Sequence, residues 1–442
     1  MNNYCSVFFV VLKSSQMKIV KLIVLLNILT CLIIGAQVNY VDFFTDERMR
    51  VDLIFAGDHE TTEVYLEKIK AEPKWGGTRT NLLDSLELGD FQLRIFDEVT
   101  GKLIFSRGFS TLFEEWQTTS EAETAKKYLT QALVFPYPKS RIHLELHRRN
   151  DQNIFEKCYE MNIDPADLYI ERGMKFDFES LKVQDKGDPA ECVDLLFIAE
   201  GYKEDQIDSF YRDVKWLSDY ILSTEPFNQY REKFNIWTVA SVSQEDGTDF
   251  PGEGIWKNTL MNFNFYTFGL DRYLTTYDFR TICDVAAPVP YDQVIVLINI
   301  NSYGGGGMYN NYCGGSNGGH SPEEVLIHEF GHGFAGLGDE YYSSEVAYNE
   351  YFKLNIEPWQ PNLTTLVNFK SKWDDMLDPG TPVPTPVEDK YMDKTGVFEG
   401  GGYVSKGVYR PAVDCRMKSN YSEGFCEVCK RAIIRTILYY ID

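Results

Sequence analysis

Ser321-Pro322-Glu323-Glu324-Val325-Leu326-Ile327-His328-Glu329-Phe330-Gly331-His332 decides how the rest of this 442-residue chain is read. Ser321 followed by Glu324 has the form of a capping box, and Pro322 falls at a first helical position, where no N–H is needed. A helix is therefore predicted to begin just ahead of His328. Four residues make about one turn, so His328 and His332 share a face and their imidazoles converge. Two neutral imidazoles at that spacing suit Zn²⁺. Glu329, beside the first of them, can take a proton from a water on the ion and pass it to a leaving amine. The chain has only six histidines, so the pair is not a by-product of a histidine-rich composition. His320, ahead of the cap, reads as a loop histidine.

Zinc catalysis needs a third protein ligand and one open position. The continuation is Gly333-Phe334-Ala335-Gly336-Leu337-Gly338-Asp339-Glu340-Tyr341. Gly336 can take the left-handed conformation that ends a helix, after which the chain turns back and Asp339 can reach the ion. Glu340 is the nearest substitute, and Glu350 is another, placed as a ligand from a second helix would be. The layout resembles the metzincin pattern H-E-x-x-H-x-x-G-x-x-H/D, with Gly and Asp each one position late.

Upstream, buried-strand runs stand at Val193-Asp194-Leu195-Leu196-Phe197-Ile198, Phe234-Asn235-Ile236-Trp237-Thr238-Val239 and Val294-Ile295-Val296-Leu297-Ile298. Between the first two, Ile207, Phe210, Tyr211, Val214, Leu217 and Ile221 follow helical spacing over about Glu204 to Leu222. Strands alternating with helices predict an α/β layer. The third strand leads into Asn301-Ser302-Tyr303-Gly304-Gly305-Gly306-Gly307, where glycines would let an exposed backbone edge approach an extended peptide. Gly305 and Gly306 are the candidate contacts. Arg272 and Arg410 are candidate anchors for carboxylate or carbonyl groups, and Glu399 is a candidate lining residue.

From about Val38 to Ala166 the pattern is period two, as in Phe91-Gln92-Leu93-Arg94-Ile95-Phe96 and Arg141-Ile142-His143-Leu144-Glu145-Leu146. That is the signature of half-buried strands, and Asp97-Glu98-Val99-Thr100-Gly101 reads as a hairpin turn. An antiparallel β-sandwich is predicted over residues 37–170, in a binding or supporting role. His143 and His147 read there as solvated strand residues. The pattern changes after Asp164-Pro165 and the charged stretch Lys182 to Asp188, and a catalytic domain is predicted over 180–442. The whole is an α+β chain.

Ile19 to Ile34 is nearly all apolar, preceded by Lys18 and followed by Gly35-Ala36-Gln37. This has the form of a secretory signal peptide over residues 1–36, with Met17 a candidate start. Export places the protein in the periplasm, on the cell surface or in the medium, with no membrane span left after cleavage. The net charge of −23, from 43 Lys+Arg against 66 Asp+Glu, argues against nucleic acid or an anionic lipid surface as a partner. Seven cysteines remain beyond the leader: Cys158, Cys192, Cys283, Cys313, Cys415, Cys426 and Cys429. Cys426-Glu427-Val428-Cys429, with Cys415 nearby, has the spacing of a redox pair or a zinc knuckle. No fourth Cys or His stands close by, so a disulfide is expected there.

With these residues in view, the chain resembles the IgA-peptidase family of zinc metallopeptidases. The resemblance rests on His328-Glu329-Phe330-Gly331-His332 followed by Gly336-Leu337-Gly338-Asp339-Glu340-Tyr341, and on Val397-Phe398-Glu399-Gly400-Gly401-Gly402-Tyr403 and Val408-Tyr409-Arg410-Pro411. Asp414-Cys415-Arg416-Met417 and Phe425-Cys426-Glu427-Val428-Cys429 extend it. It implies a metzincin-like catalytic domain with one Zn²⁺ on His328, His332 and Asp339, and Glu329 as general base. It further implies Met417 as the methionine beneath the metal and Tyr421 as a candidate transition-state contact. The function so implied is an exported zinc endopeptidase that cuts protein substrates through a zinc-activated water. The immunoglobulin specificity in the family's name is not implied for this chain. Two other readings remain: a metal-dependent amidohydrolase acting on cell-wall peptide, and a glycan- or protein-binding adhesin with an idle zinc fold.

Overall fold

Period-two patterning becomes strands wherever one side of the ladder can be buried. In the computed structural model, which describes residues 38–342 and 351–442, the first half of the chain follows this rule. The segment read as a signal peptide and Glu350 lie outside the described residues. After a single turn of helix, α1 (Tyr40–Phe43), come β1 (Phe44–Gly57), β2 (Thr62–Glu72), β3 (Phe91–Asp97) and β4 (Leu103–Phe109). Helix α2 (Leu112–Gln117) precedes β5 (Lys127–Pro138), β6 (Ile142–Arg149), β7 (Phe155–Ile163) and the two-residue β8 (Glu171–Arg172). They form two four-stranded sheets, ordered β5-β1-β2-β8 and β4-β3-β6-β7. All pairings are antiparallel except β2 with β8. Ile142, Leu144 and Leu146 are buried in the core while His143 and Glu145 between them are partly exposed. The expected turn joins β3 to β4: Gly101 takes φ +67° and its N–H donates to the Asp97 carbonyl at 2.8 Å.

The second half is built on a six-stranded sheet. Its members are β9 (Ser180–Gln184), β10 (Val193–Glu200), β11 (Phe234–Val239), β12 (Gln293–Ile298), β13 (Gly305–Gly307) and β14 (Tyr312–Ser316), in the order β13-β14-β12-β10-β11-β9. The four inner strands are parallel, and β9 and β13 close the edges antiparallel. β10 and β12 are buried at every residue, which is why they read as unbroken apolar runs. The charged stretch from Lys182 to Asp188 is partly edge strand: its polar side chains line β9, where a ladder needs no apolar face. Helices α3 (Ile207–Ile221), α4 (Phe279–Ala286), α5 (Pro322–Ala335) and α6 (Glu427–Ile441) complete the layer, with a hairpin β15 (Phe398–Gly401) and β16 (Val404–Arg410). Leu195, Phe197, Ile295 and Leu297 join Phe210 and Val214 of α3, Ile327 and Phe330 of α5 and Ile433 of α6 in one core. Helix α5 also lies against β13 and β14.

Tyr40 to Asp442 pack as one unit, and a buried ion cluster shows how the halves are joined. Arg48 of β1 meets Glu72 at 2.6 Å and donates to the Val289 and Ala287 carbonyls at 3.1 and 2.9 Å. Arg50 meets Asp52 at 2.6 Å, Glu72 at 3.2 Å and Asp284 of α4 at 2.8 Å. Lys70 meets Asp284 at 2.7 Å. Mixed architecture with several sheets and few helices is thus what the sequence patterning specifies. No helix among the described residues is long and apolar enough to cross a membrane.

Candidate active site

Helix α5 starts at Pro322 as the sequence predicts, but not by a capping box. Ser321 sits at φ +51°, ψ +56° and its side chain caps nothing. Glu324 instead pairs with the guanidinium of Arg416, a residue 1% exposed. A buried guanidinium needs a carboxylate more than a helix end open to water needs a side-chain acceptor. Arg416 also donates to the Asn420 and Ser422 carbonyls at 2.7 and 2.8 Å, which shapes the turn below the helix. The other end follows expectation: Gly336 takes φ +62°, and the N–H groups of Gly336 and Leu337 donate to the His332 and Gly331 carbonyls at 3.0 and 3.2 Å.

That turn returns the chain to the histidines. His328 Nδ1 lies 3.0 Å from the Arg416 carbonyl and His332 Nδ1 2.6 Å from the Leu337 carbonyl. A carbonyl only accepts, so each Nδ1 carries the proton, and a neutral ring keeps its lone pair on Nε2. The two Nε2 atoms stand 3.1 Å apart. Asp339 Oδ1 is 3.0 Å from the first and 3.3 Å from the second. Oδ1 is buried and accepts no hydrogen bond, while Oδ2 accepts from the Tyr403 hydroxyl at 2.6 Å. The side chains of His328, His332 and Asp339 are 11%, 16% and 5% exposed. Three electron-pair donors thus converge on one point. Ligand bonds of about 2.0–2.1 Å in a tetrahedron put donor atoms roughly 3.3 Å apart, so the triad fits a divalent ion with one position left open. Without an ion, burial opposes charging His332, but the Asp339 carboxylate outweighs it and lifts the imidazole to about 9. Asp339 loses solvation on burial, yet the two imidazoles hold it well below the usual carboxylate range.

Glu340 does not join this triad. It is fully buried, accepts from Asn362 Nδ2 at 2.9 Å and lies 3.3 Å from Cys429 Sγ. Glu329 lines a cleft of about 540 Å³ together with His328, His332 and Asp339. Burial raises its pKa, and the two imidazoles offset part of that. Gly305 is glycine for a visible reason: a Cβ there would stand 2.8 Å from Glu329 Cγ and 3.0 Å from its Oε1. The edge expected to be open at Gly305 is already paired, because Leu274 N–H donates to its carbonyl at 3.1 Å and its own N–H meets the Arg272 carbonyl at 3.4 Å. Gly306 is crowded likewise, by Thr275 and Tyr273.

Met417 is buried under α5, with its sulfur 2.8 Å from where a Cβ on Gly331 would be, so the glycine inside the histidine motif makes room for it. Tyr421 lies on the cleft wall, 85% exposed, with its hydroxyl 3.5 Å from His320 Nε2. Arg272 lines the cleft. Arg410 instead holds the β15–β16 hairpin through the Glu399 carbonyl at 2.9 Å, and Glu399 accepts from Gly407 N–H at 3.2 Å. His147 differs from the expected solvated residue: it is 8% exposed and meets Glu145 at 2.8 Å. Tyr403 is the residue the sequence reading passed over. It stood inside the glycine-rich stretch quoted for the family resemblance, and its phenol was given no role.

Paired imidazoles, a convergent carboxylate and an adjacent half-buried glutamate in a cleft make the chemistry of a hydrolase. The class is settled by comparison: the family described as IgA Peptidase M64 matches residues 181–395 and 387–437, and the one described as Peptidase M64 N-terminus matches 39–160. The chain belongs to the IgA peptidase M64 family, and is a peptidase by that membership. No curated protein matches it.

Proposed function

We propose that this chain is an exported zinc-dependent endopeptidase, with His328, His332 and Asp339 as metal ligands and Glu329 as general base. The observation that carries this reading is the trio of donor atoms, two Nε2 and one Oδ1, that converge 3.0–3.3 Å apart. When bound, the ion supplies Lewis acidity, polarising a scissile carbonyl and acidifying water. The remaining work falls to the protein. The Arg416 and Leu337 carbonyls hold the rings in the Nδ1–H tautomer, and Tyr403 aims Asp339. Glu329 takes the water's proton on its carboxylate and delivers it to the leaving nitrogen; burial, by raising its proton affinity, suits it to both steps. Met417 serves as the methionine floor of a metzincin-like site, and Tyr421 is placed to meet substrate from the cleft wall. We read the two N-terminal sheets as a sandwich that supports the catalytic layer. Export rests on the apolar leader over residues 1–36.

Glu329→Gln tests the assignment. The variant should keep its zinc by elemental analysis and lose about 10²–10⁴ in kcat on a peptide library. Hydrolysis at the wild-type rate would refute the role of Glu329.

A further inference from the structure

Cys415, Cys426 and Cys429 do not form the disulfide expected of them. Cys415 Sγ and Cys429 Sγ are 3.8 Å apart, against about 2.05 Å for a bond, and the seven cysteines among the described residues are all free. The missing fourth donor, sought among neighbouring Cys and His, is a carboxylate from the loop after α5. One ligand atom each from Glu340, Cys415, Cys426 and Cys429 lies within 4.8 Å of every other. Zinc–sulfur bonds of about 2.3 Å in a tetrahedron place sulfurs roughly 3.8 Å apart, which is the separation of Cys415 Sγ and Cys429 Sγ.

We propose that Glu340, Cys415, Cys426 and Cys429 form a second, closed metal site that holds a structural thiophilic divalent cation, Zn²⁺. Three further observations point the same way. Glu340 Oε2 is buried without any hydrogen-bond partner, although Oε1 of the same group is satisfied by Asn362. A buried carboxylate left half-satisfied requires a cation or a proton. Cys415 Sγ accepts the Cys426 N–H at 3.3 Å, the kind of bond that favours a thiolate over a thiol. Cys426 is the N-cap residue of the 15-residue helix α6, and Cys429 lies in its first turn, where the helix end also favours thiolates. As the ion enters, the thiol protons leave to solvent and three sulfur–metal bonds form. Arg410 and Lys418 are coupled electrostatically to Glu340 and take up part of the remaining negative charge.

The site's position gives it a purpose. Glu340 directly follows Asp339, and Cys415 directly precedes Arg416, whose carbonyl fixes His328. Glu340 N–H also donates to the Met417 carbonyl at 2.8 Å. One ion therefore ties together the two segments that deliver the third ligand and the orienting carbonyl to the active site. Glu340, Cys415 and Cys429 are buried and Cys426 is half-buried, and none of the four lines the cleft, so the role of the ion is positional.

The test is metal content of the full-length protein and its variants after gel filtration. Wild type should carry two zinc ions per chain. His328→Ala/His332→Ala should keep one, and its cobalt form should show the near-ultraviolet thiolate charge-transfer band. Glu340→Gln and Cys429→Ser should each lose one ion, and Cys429→Ser should lose that band. Should Cys429→Ser fail to fold, alkylation of the double-histidine variant decides: Cys415, Cys426 and Cys429 should resist labelling until a chelator strips the ion. A double-histidine variant with no zinc overturns the proposal, as does a disulfide among these cysteines in peptide mapping. Failure of the catalytic reading looks different: wild type and the double-histidine variant would then each hold one ion, on the thiolates.

Discussion

Two kinds of buried charge cluster in this molecule are built on opposite plans. Where the N-terminal sheet meets α4, Arg48, Arg50 and Lys70 face Asp52, Glu72 and Asp284, and each carboxylate has a protein cation within 3.2 Å. In the catalytic layer, donors meet donors: two imidazole lone pairs and Asp339 Oδ1 on one side, three sulfurs and Glu340 on the other. The first cluster is electrostatically complete. The second pair is not, and Asp339 Oδ1 and Glu340 Oε2 each lack a hydrogen-bond partner. Buried carboxylates alone therefore do not mark a site; it is the missing counter-charge that separates a self-contained ion cluster from a candidate metal site.

The sharpest way to break this contrast is to remove one donor from the open cluster. His332→Ala should abolish peptide hydrolysis outright, because a two-ligand site loses its ion at ordinary zinc concentrations. Elemental analysis and a peptide cleavage assay read both parts. The complete cluster should respond in a different currency. Arg50→Ala leaves Asp52 and Glu72 short of a partner in the core, and should lower unfolding stability by about 3–5 kcal/mol in urea titration. Its zinc content should stay at the wild-type value. If Arg50→Ala instead lost metal, the two clusters would not be independent.

Much of the catalytic layer was legible because its signals are local. The spacing of His328 and His332, the stop at Gly336 and the return of Asp339 all lie within one helix and one turn. The buried runs at β10, β11 and β12 were equally plain. What the sequence hid is what depends on distant partners. Ser321 and Glu324 have the form of a cap, but Arg416, far along the chain, claims the carboxylate. The three cysteines lacked a fourth ligand only because Glu340 comes from another segment and is not a Cys or His. Asp284 and Arg50 carry no local mark of being a buried pair. The edge at Gly305 looked open because nothing in sequence shows Arg272 and Leu274 lying along it.

A milder change sharpens the comparison from within the open cluster. Tyr403→Phe removes the hydroxyl that holds Asp339 Oδ2 and leaves all three ligands in place. Zinc affinity, read by competition with a chromophoric chelator, should fall about 10–100-fold, the usual range for an orienting partner of a metal ligand. An unchanged affinity would mean that packing alone orients Asp339.

The smallest effect is also the most diagnostic, because its sign reverses with the ion. In protein stripped by a chelator, the chief counter-charge for Asp339 is a proton on the histidines. His332 is lifted to about 9 from its ordinary 6.5, so its stabilising contribution is fully present below pH 6.5 and disappears as the pH rises through 9. Asp339 is shifted the other way, so its contribution is present above its ordinary value and disappears in stronger acid. Stripped protein should therefore lose thermal stability from pH 6.5 to 9, with a slope of at most about 1.4 kcal/mol per pH unit for one proton. Zinc competes for the same lone pairs, so its affinity should rise over that same interval. Melting temperatures with and without chelator should diverge as the pH rises. Parallel curves would mean that His332 and Asp339 share no proton, and the open cluster would then be as self-sufficient as the Arg48–Arg50–Lys70 cluster.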